Sequence, residues 1–222
     1  MTAAVRRFRP DCVLATGDIA HDGAAASYRA AREAFAGTGC PVHAIPGNHD
    51  DPGLLARELG AWPLVRPVGP WRLVLLNTHV RGRESGAIRG AELEAAAAAL
   101  DARPSGPVLV ALHHPPVAVG SPWIDAMGLE GADALLDWCR RRGDVHVIVG
   151  GHVHQAAFRR RDATRVLTAP ATCVQFAPRT RECRILDRRP AWRALQLHRD
   201  GSVETRVHRL GPRSAARVEC SR

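Results

Sequence analysis

Apolar residues recur along the chain in short runs, each stopped abruptly by glycine, proline or a polar residue. Asp11-Cys12-Val13-Leu14-Ala15-Thr16 halts at Gly17-Asp18, and Pro41-Val42-His43-Ala44-Ile45 is broken by Pro46-Gly47. Trp71 to Leu76 gives way to Asn77-Thr78-His79, Val108 to Leu112 to His113-His114-Pro115-Pro116, and Val145 to Val149 to Gly150-Gly151-His152-Val153-His154. Runs of this length, followed by turn formers, predict buried strands. Between them the period lengthens. Ser27 to Ala36 sets Tyr28, Ala31 and Phe35 on one face, Ala132 to Arg142 turns Leu135, Leu136 and Cys139 inward, and Ala91 to Leu100 is alanine-rich. With Pro52 to Leu59 these segments predict helices, and Ala3 to Arg9 reads as the last turns of another, closed by Pro10.

Strand, helix and strand in succession describe an α/β chain, whose chemistry collects at the C-terminal ends of its strands. From Val166 the pattern changes to short strands without helices, around Val166–Ala169, Cys173–Phe176, Ala194–Leu197 and Val203–Val207. The last two join through Asp200-Gly201, so an antiparallel sheet is expected there. Gly120 to Gly131 reads as an irregular active-site loop carrying Trp123, and Gly211 to Arg222 as a flexible tail.

Composition narrows the class. A chain of 222 residues with 45% hydrophobic content fits one domain, expected over 1–210. There is no apolar run of membrane-spanning length and no apolar segment after Arg6, Arg7 and Arg9, which points to a cytoplasmic protein. The six cysteines form no C-x-x-C pair and read as reduced thiols. The net charge of +9 is built from 31 arginines and no lysine, scattered over the whole length. No basic block reaches the length of a nucleic-acid arm; the field favours anionic substrates without predicting specific nucleic-acid binding.

Four strand ends carry the candidate chemistry: Gly17-Asp18, Gly47-Asn48-His49-Asp50, His113-His114 and Gly151-His152-Val153-His154. Each group alone is ordinary in a loop. Together they offer a carboxylate, an amide oxygen and several imidazoles with no thiolate, a set suited to Mn²⁺, Fe or Zn²⁺. The pattern resembles the calcineurin-like metallophosphoesterase superfamily. Within it, Thr16-Gly17-Asp18, Asp22-Gly23, Trp123-Ile124-Asp125, Gly151-His152-Val153-His154-Gln155 and Thr172-Cys173-Val174-Gln175-Phe176 are similar to the bacterial class III cyclic nucleotide phosphodiesterases of the CpdA type.

The resemblance implies a two-sheet β-sandwich flanked by helices and two metal ions. Asp18 would bridge the ions, Asn48, His113 and His152 would complete the second, and His154 would bind the first. A hydroxide held between the ions would attack phosphorus in line, with His49, steered by Asp50, protonating the leaving oxygen. His114 would stand behind the ligands or face the phosphate, and His21 and Asp22 are further candidates near the ion or substrate. The substrate would be a small cyclic nucleotide or related phosphodiester, and a homodimer is compatible. One part of the family pattern, an Asp-x-His on a first strand, has no counterpart in this chain. The first-ion site is therefore expected to be incomplete and the neighbouring strands to have exposed edges, with Met1 an internal residue of a longer natural protein. The alternative is a chain that binds a metal or nucleotide with impaired turnover; a nuclease reading draws only on the positive charge.

Overall fold

The computed structural model describes residues 1–61 and 64–211. The expected tail therefore lies outside the described residues, apart from Gly211. The first third holds α1 (Thr2–Phe8), β1 (Val13–Thr16), α2 (Ala25–Ala36), β2 (Val42–Ile45) and α3 (Pro52–Leu59). Next come β3 (Leu64–Val68), β4 (Trp71–Leu75), β5 (Gly86–Ala87), α4 (Gly90–Asp101), β6 (Val108–Leu112), α5 (Pro122–Asp125), β7 (Leu129–Glu130), α6 (Ala132–Arg142) and β8 (Val145–Gly150). The remainder is strand: β9 (Phe158–Arg161), β10 (Thr164–Thr168), β11 (Gln175–Phe176), β12 (Ile185–Asp187), β13 (Ala191–Leu197) and β14 (Val203–Arg209).

A six-stranded sheet in the order β3-β4-β6-β8-β10-β9 forms the centre. β4, β6, β8 and β10 run parallel and are mostly buried, with β4, β6 and β8 largely apolar because both of their faces are covered. Val74, Val110 and Ile148 pack on one side with Leu93 and Leu100 of α4 and Leu135 of α6. Leu73, Leu109 and Val147 pack on the other with Ile45 of β2 and, more peripherally, Leu14 of β1 and Leu195 of β13. That second layer is made of two separate pairs, β1 parallel to β2 and β13 antiparallel to β14, which yields the expected sandwich with flanking helices.

Two expectations about this part change. The Val166 strand joins the central sheet parallel to β8, because its buried, largely apolar run suits an interior position. The segment around Cys173 is strand only at Gln175–Phe176, paired with β12. The strands absent from the sequence reading sit at edges. β3 contains Pro67 and β9 contains Arg159, Arg160 and Arg161, residues that keep a sheet edge from pairing further.

Among the described residues β1 pairs with β2 alone and β13 with β14 alone. A cavity of about 1560 Å³ is lined by both strands and extends to Leu73 and Leu109 of the central sheet and to Val5 and Phe8 of α1. Every residue of β1 is only half-buried, as an apolar strand with an open edge must be.

α2 is tied to the loop after β2 through Tyr28, whose side chain is fully buried. Its hydroxyl donates to Asp50 Oδ1 at 3.0 Å and accepts from the Asp51 amide at 2.7 Å. Burial, and then the neighbouring Asp50 charge, raise the phenol pKa above its ordinary value, so it is a neutral donor at physiological pH. Tyr28→Phe takes a partner from the buried Asp50 carboxylate and from the Asp51 amide and is expected to cost about 1–3 kcal/mol, read as a lower urea midpoint. An unchanged midpoint would show that the hydroxyl does not brace this loop.

Candidate metal centre

The turns after β1, β2, β6 and β8 meet in one place. Gly17 and Gly47 allow it: Gly17 has φ +94°, and a Cβ there would strike the His113 ring, while one on Gly47 would strike the Asp18 carboxylate. Asp18 (φ 55°), His152 (φ 62°) and His154 (φ 48°) are themselves left-handed, half of the six non-glycine residues so placed among the described residues. Such a conformation costs free energy, and its concentration at one spot marks a functional site.

His113, 1% exposed, donates from Nδ1 to the Thr16 carbonyl at 2.7 Å. That bond turns Nε2 inward, 3.4 Å from Asp18 Oδ2 and 3.1 Å from Asn48 Oδ1. His152 presents Nδ1 to the same Asn48 oxygen at 3.1 Å, and its Nε2 is buried with no partner. Three of these atoms, a ring nitrogen, an amide oxygen and a carboxylate oxygen, converge with only lone pairs to offer when the imidazole is neutral. A proton on Nε2 or a cation must bridge them, and a cation satisfies all three at once. The donors thus fit a hard-to-borderline metal ion held by Asp18, Asn48, His113 and His152.

His114 belongs to the surroundings of this site rather than to its ligands. It comes close enough to His113 and His152 for the three to form a histidine cluster. Both of its ring nitrogens are nevertheless engaged, Nδ1 with the Thr78 hydroxyl at 2.8 Å and Nε2 with the Glu84 carbonyl at 3.0 Å. It is fully buried, and burial first, then the adjacent His113 and His152, lower its pKa to about 2. Burial likewise lowers His152 to about 3, with His113 next in effect, so both rings are neutral.

On the other side of Asp18 the donors thin out. His154 has a buried Nδ1 without a partner, and its ring lies stacked on Phe176 at 4.4 Å. His21 and His49 face each other with ring centroids 4.6 Å apart. No set of three close ligand-bearing side chains gathers on this side among the described residues. The residues present therefore fit the second ion well and the first only through Asp18 and His154.

Two of the expected site residues also hold the loops together. Asp50 is 4% exposed, and its carboxylate accepts from the amides of Ile19 (3.2 Å), Ala20 (2.9 Å) and Gly47 (2.8 Å) as well as from Tyr28. Among the described residues no hydrogen bond joins it to the His49 ring; its bonds hold the loop that carries His49. Asp22 accepts from the Ala24 amide and the Ser27 hydroxyl, both at 3.0 Å, and organises the start of α2. Three participants went unseen in the sequence. His79 holds the Gly47 carbonyl at 3.0 Å, Thr78 holds His114, and Glu84 accepts from Asn48 Nδ2 at 2.6 Å. Only Asn77-Thr78-His79, polar residues closing an apolar run, carried any signal for them.

Residues 1–156 match the calcineurin-like phosphoesterase family, a span that contains every residue of this centre. The chain belongs to the calcineurin-like phosphoesterases. Members of this family are dinuclear metal hydrolases, and the histidine cluster is where this chain meets that description. The 3′,5′-cyclic adenosine monophosphate phosphodiesterase CpdA of Pseudomonas aeruginosa is 36% identical over 205 residues, 91% of this chain and 75% of that protein. The CpdA of Escherichia coli K12 is 34% identical over 90% of this chain and 74% of its own. Among solved structures, a dimetal phosphatase from Danio rerio superposes with a TM-score of 0.60 at 18% identity, covering 76% of this chain and 75% of its own. GAP50, the anchor in the inner membrane complex of Plasmodium, superposes with a TM-score of 0.66 at 10% identity, over 96% and 82%. These two speak for the fold.

The buried neutral rings set a pH dependence. An unfolded histidine titrates near 6.5, whereas folded His114 does so at about 2. Below pH 6.5 the unfolded chain takes up a proton that the folded ring refuses. The stability is therefore complete above that pH and is lost as pH falls, by up to about 1.4 kcal/mol per pH unit for each such ring. In metal-free protein the urea midpoint is expected to drop between pH 7 and pH 5, with a shallower slope in His114→Gln. A midpoint independent of pH over that range would contradict the neutral, buried assignment.

Proposed function

We propose that the chain is a metal-dependent phosphodiesterase acting on 3′,5′-cyclic nucleotides such as cAMP. The observation that carries this is the convergence of Asp18, Asn48, His113 and His152 on one point from four strand ends, in a chain a third identical to CpdA proteins. Bound Mn²⁺, Fe or Zn²⁺ would supply Lewis-acid neutralisation of the phosphoryl oxygens and activation of a water.

The chain's own residues would do the rest. Asp18 and Asn48 supply oxygen donors, and His113 supplies a nitrogen whose direction is fixed by the Thr16 carbonyl. His49 fixes Asp18 with its backbone amide at 3.2 Å, while its exposed ring remains available to protonate a leaving alkoxide. Trp123 and Phe176, packed edge to face at 5.1 Å, line the same cavity and offer a nucleobase an apolar wall. The positive net charge favours arrival of an anionic substrate. Among the described residues no helix is long and apolar enough to cross a membrane, which is compatible with a cytoplasmic site of action.

The sparse donors beside His154 favour a second reading, a chain that holds one ion and turns over poorly or not at all. Both are decided by hydrolysis of cAMP and of a chromogenic phosphodiester with added Mn²⁺, alongside a metal count. The phosphodiesterase reading expects activity that falls at least 100-fold in Asn48→Ala and His113→Ala. His49→Ala should lose about 10²–10⁴-fold in kcat, the usual contribution of a general acid. Equal rates in wild type and all three variants would discard it. About one ion per chain without turnover would establish the second reading.

A further inference from the structure

Glu84 lies in the loop between β4 and β5, away from every strand end that carries a ligand, yet its carboxylate reaches the metal centre. Oε2 accepts from Asn48 Nδ2 at 2.6 Å. An ionised carboxylate only accepts, so the NH₂ half of the Asn48 amide must face Glu84 and the oxygen half must face the site. There Oδ1 stands 3.1 Å from both His113 Nε2 and His152 Nδ1.

The opposite orientation has its own attraction. The Nδ1–H of His113 is committed to Thr16, so in a neutral ring Nε2 is a bare acceptor. A flipped Asn48 amide would donate an N–H to it and fill the metal position with a hydrogen bond. Besides Glu84, only a proton on His152 Nδ1 would oppose that flip, and Asn48 has no other hydrogen bond from Nδ2 among the described residues.

The frame around Glu84 is firm enough to hold an orientation. Its own carbonyl is engaged by His114 Nε2 at 3.0 Å, the Gly86 amide donates to the Gly128 carbonyl at 3.1 Å, and Ala87 donates to Thr78 at 3.0 Å. Arg83 next to it bonds the Ser85 hydroxyl and Glu130. One residue therefore restrains two parts of the centre, its backbone the His114 ring and its side chain the Asn48 amide.

We propose that Glu84 is a positioning residue that locks the Asn48 amide with its oxygen toward the metal, so that the site is preformed for a cation and closed to the internal Asn48–His113 hydrogen bond. The inference rests on the metal-centre reading above and adds a residue to it. It does not require turnover, so the two can fail separately.

The test uses the full chain at pH 8, where imidazoles are neutral, with Mn²⁺ as the probe. Glu84→Ala is expected to weaken Mn²⁺ binding about 10–100-fold, the range for partners that orient ligands. Glu84→Gln, which keeps an acceptor oxygen, should stay within about threefold of wild type. In an Asn48→Ala background Glu84→Ala should change nothing further. The urea midpoint of the metal-free protein should not move in Glu84→Ala, which separates orientation from a general loss of structure. In metal-free protein the Asn48 side-chain NH₂ should show NMR contacts to the Glu84 methylene protons, replaced in Glu84→Ala by contacts to the His113 ring. Wild-type Mn²⁺ affinity in Glu84→Ala would overturn the proposal. So would an equal loss in Glu84→Gln, or an undiminished loss in the Asn48→Ala background, either of which would make Glu84 act through its charge instead. Should wild type bind no Mn²⁺, the NMR contacts alone decide, and unchanged contacts in Glu84→Ala would overturn it.

Discussion

Buried lone pairs that face one another need a positive charge between them. Asp18 Oδ2 and Asn48 Oδ1 stand 3.4 and 3.1 Å from His113 Nε2, which has no proton to offer them when the ring is neutral, and each is fixed from behind. The Thr16 carbonyl fixes His113, Glu84 fixes Asn48, and the His49 amide fixes Asp18. Such an arrangement is unfavourable for folding taken alone. It persists because the elements that bear it are set by unrelated forces, the two apolar faces of the central sheet. The left-handed backbone at Asp18, His152 and His154 belongs to the same expense, and the buried, neutral His114 and His152 extend it to acid stability.

Rigidity is supplied from one step further out. Asp50 gathers three backbone amides and a tyrosine hydroxyl, so that the turn after β1, the turn after β2 and helix α2 are held by a single carboxylate. Tyr28 and Asp50 are buried together, and each satisfies the other. A carboxylate spent in this way is worth more as a brace than as an acid or base, because removing it would strand several amides at once. In the proposed reading, the catalytic part left to the Gly47-Asn48-His49-Asp50 loop falls to Asn48 as a donor to the ion and His49 as the exposed imidazole.

Much of this was legible in the sequence, for a definite reason. Buried parallel strands are mostly apolar, so the polar residues at Gly17-Asp18, Asn48, His113 and His152 stood out where the runs ended. Edges were harder. Pro67 disguised β3 and the three arginines of β9 disguised a strand, because the same residues that protect an edge erase its pattern. Asp50 neighbours His49 along the chain but bonds to Ile19, Ala20 and Tyr28 in space, contacts that no local pattern encodes. Glu84 left no trace at all. It sits in a polar loop, and its contact with Asn48 spans 36 residues, a relation no local pattern encodes.

The open edge of β1 and the ligand-poor half of the metal centre border the same cavity. β1 leads directly into Gly17-Asp18, and the cavity along its free edge continues to His21, His49 and His154. Where β6 and β8 have neighbours on both sides, their ends deliver His113 and His152 into a closed ligand set. Where β1 has a neighbour on one side only, Asp18 faces an imidazole and open space.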